Sequence, residues 1–161
     1  MLHLSTVEST TLELLKKLQQ LPVLCNTRLV GGTALALQLG HRKSVDLDFF
    51  GQINVDSQDL KEALRTLGTL TILNDSKNIH IYVLNEVKID IVNYTYPWLD
   101  DVVYKDGIRL ASPRDIAAMK ITAIEGRGTK KDFVDIYFLL NLMREIRQAI
   151  TEDRFLEFRK A

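Results

Sequence analysis

The stretch from Leu29 to Phe50, LVGGTALALQLGHRKSVDLDFF, limits the possible folds more than any other part of this chain. An apolar run enters Gly31-Gly32, a helical segment follows to Leu39, and Gly40 stops it. The chain then returns through Val45–Phe50, where acids alternate with apolar residues. Side chains alternate between the two faces of a strand, so Asp46 and Asp48 are expected on one face. Val45, Leu47 and Phe49 are expected on the other. Apolar residues on both sides of the acids point to an inner strand, where unpaired carboxylates are costly. Two carboxylates side by side repel each other unless a cation lies between them. The pair therefore points to a divalent-metal site, and the alternative is an exposed edge strand carrying surface acids. Mg²⁺ suits such a pair, because it binds through one or two carboxylates and takes its other ligands from water and phosphate.

Gly31-Gly32 allows close backbone approach and left-handed conformations. A helix starting near Thr33 would aim free amides at an anion. The Thr33 hydroxyl would cap that helix or bond a phosphate. A plain tight turn is the competing reading. Asp90, in VKIDIV, shares a strand face with Lys88 while Val87, Ile89 and Ile91 form the other. It is either a structural residue paired with Lys88 or, if its strand lies beside Val45–Phe50, a third converging acid. Two metal ions there would activate an acceptor hydroxyl and stabilise a leaving pyrophosphate.

The rest of the pattern is α+β: a mixed central sheet flanked by helices, with a helical C-terminal end. Helices are expected over Val7–Leu21, Thr33–Leu39 and Ser57–Leu67, and strands over Thr27–Val30, Val45–Phe50, Thr69–Leu73, Asn78–Leu84, Val87–Tyr94 and Val102–Leu110. Ser112-Pro113-Arg114-Asp115 starts a helix running to about Glu125. Another covers Lys130 to about Met143, and a last one Thr151–Lys160. Lys120 falls on or beside its helix's buried stripe, either as a snorkelling lysine or as a cation aimed at a triphosphate or the acids. Lys131 and Asp135, four residues apart, are spaced for an ordinary intrahelical pair. His41 and Arg42, just before Ser44, are placed to reach a base, a phosphate or a second substrate.

Composition excludes several classes. The 161 residues carry 21 basic and 21 acidic side chains, so no net charge draws the whole protein to nucleic acid. Local basic groups remain at Arg42-Lys43 and at Arg127, Lys130 and Lys131. No apolar run is long enough for a membrane helix, and the N-terminus lacks signal-peptide character. Cys25 is the single cysteine, which excludes an internal disulfide and predicts a small buried residue. A cytoplasmic location fits. The three histidines are too scattered for a zinc site.

GGTALALQLGHRKSVDLDFF, KIDIV, the helix containing Lys120 and RGTKKDFVDIYFLL together resemble the AbiEii/AbiGii toxin family, nucleotidyltransferases with a DNA polymerase β-like fold. The resemblance runs from about Leu29 to Leu140. It implies one nucleotidyltransferase-like domain over residues 1–161, with a mixed α/β core to about residue 110 and a helical part beyond. It implies Asp46, Asp48 and Asp90 as metal-binding acids, Gly31 and Gly32 as the glycine motif on nucleotide phosphates, and Lys120 near the triphosphate. The wider superfamily usually has Gly-Ser here, so with Gly32 in the serine's place Thr33 is expected to supply the hydroxyl. Asp135, with Asp132, matches an acidic motif, and Lys131 replaces the arginine often found before it. Arg42 and Ser44 are taken as further nucleotide contacts. The implied activity is Mg²⁺-dependent transfer of a nucleotide from an NTP to RNA, such as the 3′ end of tRNA, or to protein, with a cognate antitoxin. The alternatives are a non-catalytic nucleotide-binding or protein-interaction module on the same fold, or an enzyme modifying a small molecule such as an antibiotic. Family members are usually longer, with an extended helical C-terminal region, so the resemblance implies more about metal and NTP than about the acceptor.

Overall fold

A computed structural model describes the backbone of residues 1–160 and the side chains of residues 1–145, 147 and 148. The helices are α1 (Ser9–Gln20), α2 (Gly31–Leu39), α3 (Ser57–Arg65), α4 (Pro113–Gly126) and α5 (Lys130–Lys160). The strands are β1 (Thr27–Val30), β2 (Leu47–Gly51), β3 (Leu70–Asp75), β4 (Ile79–Leu84), β5 (Val87–Asn93), β6 (Val103–Lys105) and β7 (Ile108–Leu110). They form one mixed sheet in the order β3-β4-β5-β2-β1-β7-β6.

The expected α+β layout is present, and β2 is an inner strand. It runs antiparallel to β1 and parallel to β5. Leu47 and Phe49 are fully buried, together with Ile89 and Ile91 of β5, Leu29 of β1 and Leu15 and Leu18 of α1. This apolar layer holds the sheet and fixes β2 in one register, because a one-residue slip would put Asp48 into the core. Asp56 caps α3 through Gln58 and Asp59, and Ser112 caps α4 through Asp115.

Several boundaries differ from the sequence pattern, each for a local reason. Strand β2 begins at Leu47, so Asp46 precedes it and Val45 is exposed rather than part of the apolar face. The loop before β2 is held by the Ser44 amide donating to the Thr6 carbonyl and by Thr33 donating to the Asp46 carbonyl. Helix α2 starts at Gly31, two residues before Thr33. The expected strand Val102–Leu110 is a hairpin, reversed at Asp106-Gly107, both in the left-handed region. Helix α5 continues through Thr151 without interruption; no glycine or proline lies between Met143 and Thr151 to end it. Cys25 is exposed, not buried: it follows the short helical turn Pro22–Leu24, where the chain runs over the surface into β1.

Candidate active site

The parallel pairing of β2 and β5 puts Asp48 opposite Asp90 and Phe50 opposite Val92. Paired residues of adjacent strands project from the same face, so the two carboxylates lie side by side. Burial, then the neighbouring Asp90 charge, pushes the Asp48 carboxyl up to about 6; Asp46 adds to the rise, and Lys88 and Lys120 oppose it. Lys88 Nζ lies 2.8 Å from Asp90 Oδ1 and donates to Oδ2 at 3.0 Å. Asp90 Oδ1 is nevertheless buried and accepts no hydrogen bond among the described residues. The Lys88–Asp90 pair and the Asp48–Asp90 juxtaposition thus coexist. Among the described residues no three His, Cys, Asp or Glu side chains are already spaced to hold a metal ion. The donor set still fits a hard divalent cation: two adjacent carboxylates, one buried oxygen that accepts no hydrogen bond among the described residues, and a repulsion that a cation would relieve.

The glycines set the approach. Val30 is opposite Asp48 in the β1–β2 ladder, so the chain leaves β1 directly beside that carboxylate. A Cβ on Gly31 (φ +70°) would lie 2.4 Å from Asp48 Oδ2, and one on Gly32 would lie 2.1 Å from Arg42 Nη2. Only glycine lets the helix end come this close to both groups. No side chain caps the N-terminus of α2. Its first-turn amides therefore lack side-chain partners beside the acids, with the positive end of the helix dipole.

Thr33 does not take the place expected of it. It is buried; its hydroxyl donates to the Asp46 carbonyl and shares a 2.8 Å hydrogen bond with Ser44 Oγ. Both hydroxyls tie the loop before β2 to α2, so neither caps the helix nor faces the space beside the acids.

Asp135 is enclosed completely. Its carboxylate accepts from His41 Nε2 at 2.7 Å and from Arg42 Nε and Nη2 at 2.7 and 2.9 Å, and Lys120 Nζ lies 2.9 Å away. Asp132 accepts from Lys120 at 2.8 Å and from the Thr129 amide and hydroxyl at 3.1 and 2.6 Å. Burial alone would raise both carboxyls, but these hydrogen bonds outweigh it and hold each at about 2. Lys131 is exposed on α5, and the intrahelical pair with Asp135 is absent; Asp135 faces inward, onto Arg42 and Lys120.

Asp48, Asp90, Gly31, Gly32 and Lys120 meet at a cleft of about 280 Å³. Phe50, Val92 and Met119 supply apolar wall. Asp46 precedes β2 within electrostatic reach of Asp48. Arg42 stands behind the glycine turn, whereas Thr33, Ser44, Lys131 and Asp135 do not line the cleft.

An uncapped glycine helix start, paired acids on neighbouring strands and an α4 lysine thus meet at one cleft. The family described as nucleotidyl transferase AbiEii toxin, type IV TA system, matches residues 13–161. The chain belongs to the AbiEii family. The uncharacterized protein aq_aa25 of Aquifex aeolicus (strain VF5) is 38% identical over 132 residues, 80% of this chain and 64% of that protein. The chain thus spans a little under two thirds of that relative's length. JHP933 from Helicobacter pylori has a TM-score of 0.56 at 24% identity, covering 83% of this chain and 67% of that one. The antibiotic-resistance factor ANT(2'')-Ia has a TM-score of 0.62 at 12% identity, covering 92% and 96%. At these identities the two structures establish the fold, which is the mixed α+β nucleotidyltransferase fold.

One charged residue lining the cleft of this AbiEii-family chain is not among the candidate site residues drawn from the sequence. Arg127 lines the cleft, is exposed, and its side chain makes no ion pair or hydrogen bond among the described residues. Its sequence signals are its place in the local basic group with Lys130 and Lys131 and its position between Gly126 and Gly128 at the end of α4. No helix of the described residues is long and apolar enough to cross a membrane.

Proposed function

We propose that the protein is a Mg²⁺-dependent enzyme that transfers a nucleotide from an NTP to an RNA or protein acceptor and is countered by a cognate antitoxin. The carrying observation is the register of Asp48 against Asp90 beside the uncapped start of α2. Asp48 and Asp90, joined by Asp46, would hold the metal. Bound there, Mg²⁺ would neutralise the acids and polarise the phosphate under attack. The Gly31 and Gly32 amides face the β- and γ-phosphates, with the positive end of α2 behind them. Lys120 lends the same phosphates its charge, and Arg127 is a second cation free to move onto them. The acceptor hydroxyl attacks the α-phosphorus, its proton passes to a cleft carboxylate, and pyrophosphate leaves toward the glycine turn. Asp135 and Asp132 act as positioning residues, since they hold Arg42 and Lys120 and face no ligand.

The test is incubation of the protein with radiolabelled NTPs, Mg²⁺ and a cell extract, with an aminoglycoside panel alongside. Labelled RNA or protein that disappears with Asp48→Asn is expected. Label on aminoglycosides alone would move the acceptor to small molecules. If no label is transferred but an NTP with Mg²⁺ raises the melting temperature, the protein is a nucleotide-binding module.

A further inference from the structure

Two larger cavities continue from the cleft. The first, about 630 Å³, shares Phe50 and Met119 with it and is a slot between Tyr94, Tyr96 and Pro97 on one side and α4 on the other. No charged side chain among the described residues lines it. The second, about 500 Å³, shares Tyr94, Tyr96 and Pro97 with the slot and contains Arg28 and Arg109 but, among the described residues, no carboxylate.

Aromatic rings run along this path. Phe50 and Tyr94 have ring centroids 5.6 Å apart, Tyr94 and Tyr96 5.4 Å, and Tyr94 and Trp98 5.0 Å. The Arg28 guanidinium stacks 4.3 Å above Trp98. Arg28 and Arg109 donate to backbone carbonyls of Asp100, Thr27 and Leu24, and neither forms an ion pair among the described residues. Asp101 and Asp115 lie within electrostatic reach of Arg28, but the Asp115 carboxylate is occupied by Ser112 and the amides of Leu99 and Asp100. Tyr96 is 71% exposed.

Direction comes from the β1–β2 register. Val30, leading to the glycine turn, lies beside Asp48, whereas Gly51 at the far end of β2 lies beside Thr27. The Tyr94 amide donates to the Gly51 carbonyl at 2.9 Å, so the glycine turn is level with Asp48 while the aromatic slot lies toward the other end of β2. In an in-line displacement the attacking group enters opposite the leaving pyrophosphate, so it comes from the slot side. An uncharged, π-lined slot leading to guanidinium groups without an ion-pair partner among the described residues has the chemistry of a single-stranded nucleic acid track. It does not suit a polycationic antibiotic, which needs carboxylates.

We propose that this track binds the acceptor as a single-stranded polynucleotide, with the base nearest the reacting end stacked against Tyr96 and the backbone passing Arg28 and Arg109. This rests on the nucleotidyl-transfer reading for its direction, but not for its test. Trp98 is the only tryptophan and lies on the path, so its fluorescence reports binding directly. The probe is a single-stranded RNA or DNA of about eight nucleotides, titrated in EDTA, within the site sizes such tracks have. Binding is expected to perturb Trp98 and to fall steeply with salt. Tyr96→Ala should weaken it about tenfold, the loss of one stacked base. Tyr96→Phe should retain it, and the rise in melting temperature caused by an NTP with Mg²⁺ should be the same in all three proteins. Unchanged polynucleotide affinity in Tyr96→Ala would overturn the proposal. So would loss of the NTP-induced shift in that variant, which would put the NTP's own base in the slot, or no binding of either polymer while a protein in the extract becomes labelled. Absence of any NTP shift in the wild type would instead sink the nucleotidyl-transfer reading, and the polynucleotide titration would still decide the track.

Discussion

Asp48→Asn should stabilise the metal-free protein while abolishing its chemistry. The Asp48 carboxyl is lifted from an ordinary 3.8 to about 6, first by burial and then by Asp90. At about 1.4 kcal/mol per pH unit, that lift corresponds to about 3 kcal/mol held against folding when the group is ionised. The carboxyl opens on the cleft, and screening by water leaves about 1–2 kcal/mol. The sign follows from linkage. The folded protein binds this proton more tightly than the unfolded chain does, so the cost is absent below about pH 4. It grows as pH rises and is complete above about pH 6. Asparagine keeps the shape and removes the charge. Thermal unfolding in EDTA near pH 7.5 should show Asp48→Asn melting about 3–6 °C above wild type, on the scale for a domain of this size. Near pH 4 most of that gain should vanish. Mg²⁺ should raise the wild-type melting temperature near pH 7.5 and leave the variant unmoved. An asparagine variant that melts below wild type near pH 7.5 would refute the reasoning, because Asp48 would then be a paired structural acid.

Asp135→Asn should cost about 3–5 kcal/mol in urea unfolding, since it leaves Arg42 and Lys120 without their buried partner. A loss under about 1 kcal/mol would contradict the network. Asp132 and Asp135, both held at about 2, each contribute stability that is present above about pH 4 and lost as pH falls toward 2. Acid unfolding followed by circular dichroism should therefore fall in that window and move to higher pH in Asp132→Asn. Gly31→Ala should weaken Mg²⁺ binding more than tenfold by calorimetry, because its Cβ would meet the Asp48 carboxylate 2.4 Å away at a positive φ. Arg127→Gln should raise the KM for the NTP several-fold without shifting the melting temperature, and an unaltered KM would remove Arg127 from the triphosphate.

The legible parts of the fold were those written in short-range patterns. Leu47 and Phe49 alternate with Asp48 and Phe50, and the two sets do lie on opposite faces. Ser112, Pro113 and Asp115 spell a helix start, and Ser112 does accept from the Asp115 amide at 3.0 Å. The convergence of Asp48 with Asp90 was conditional on two strands about forty residues apart being neighbours, and no local pattern specifies that pairing. Thr33 and Asp135 were opaque for the same reason. On the sequence, Thr33 opens a helix and Asp135 sits four residues from Lys131. In space, Thr33 meets the returning loop at Asp46, and Asp135 meets Arg42 across 93 residues. Val45 was misplaced because period-two alternation carries no mark of where pairing begins.

The four aspartates fall into two pairs that the protein treats in opposite ways. Asp132 and Asp135 lie among cations, with their oxygens taken up by Lys120, Thr129, His41 and Arg42, and their carboxyls are held low. Such acids are already neutralised by the protein, and a metal ion would have to displace lysine or arginine to reach them. Asp48 and Asp90 lie against each other, with Asp48 pushed up and one Asp90 oxygen buried without a hydrogen bond. That arrangement costs stability in the protein alone, and an added cation would relieve it. Sites whose environments drive like groups in opposite directions assign roles without reference to any homologue. Asp132 and Asp135 on α5 thus hold Lys120 and Arg42 in place, and the open negative charge of this cleft belongs to β2 and β5. Exchanging the two treatments tests the division. Lys120→Met should lower the stability conferred by Asp132 and Asp135, whereas Lys88→Met, by exposing Asp90 to Asp48, should make the metal-free protein less stable and its Mg²⁺-induced gain larger.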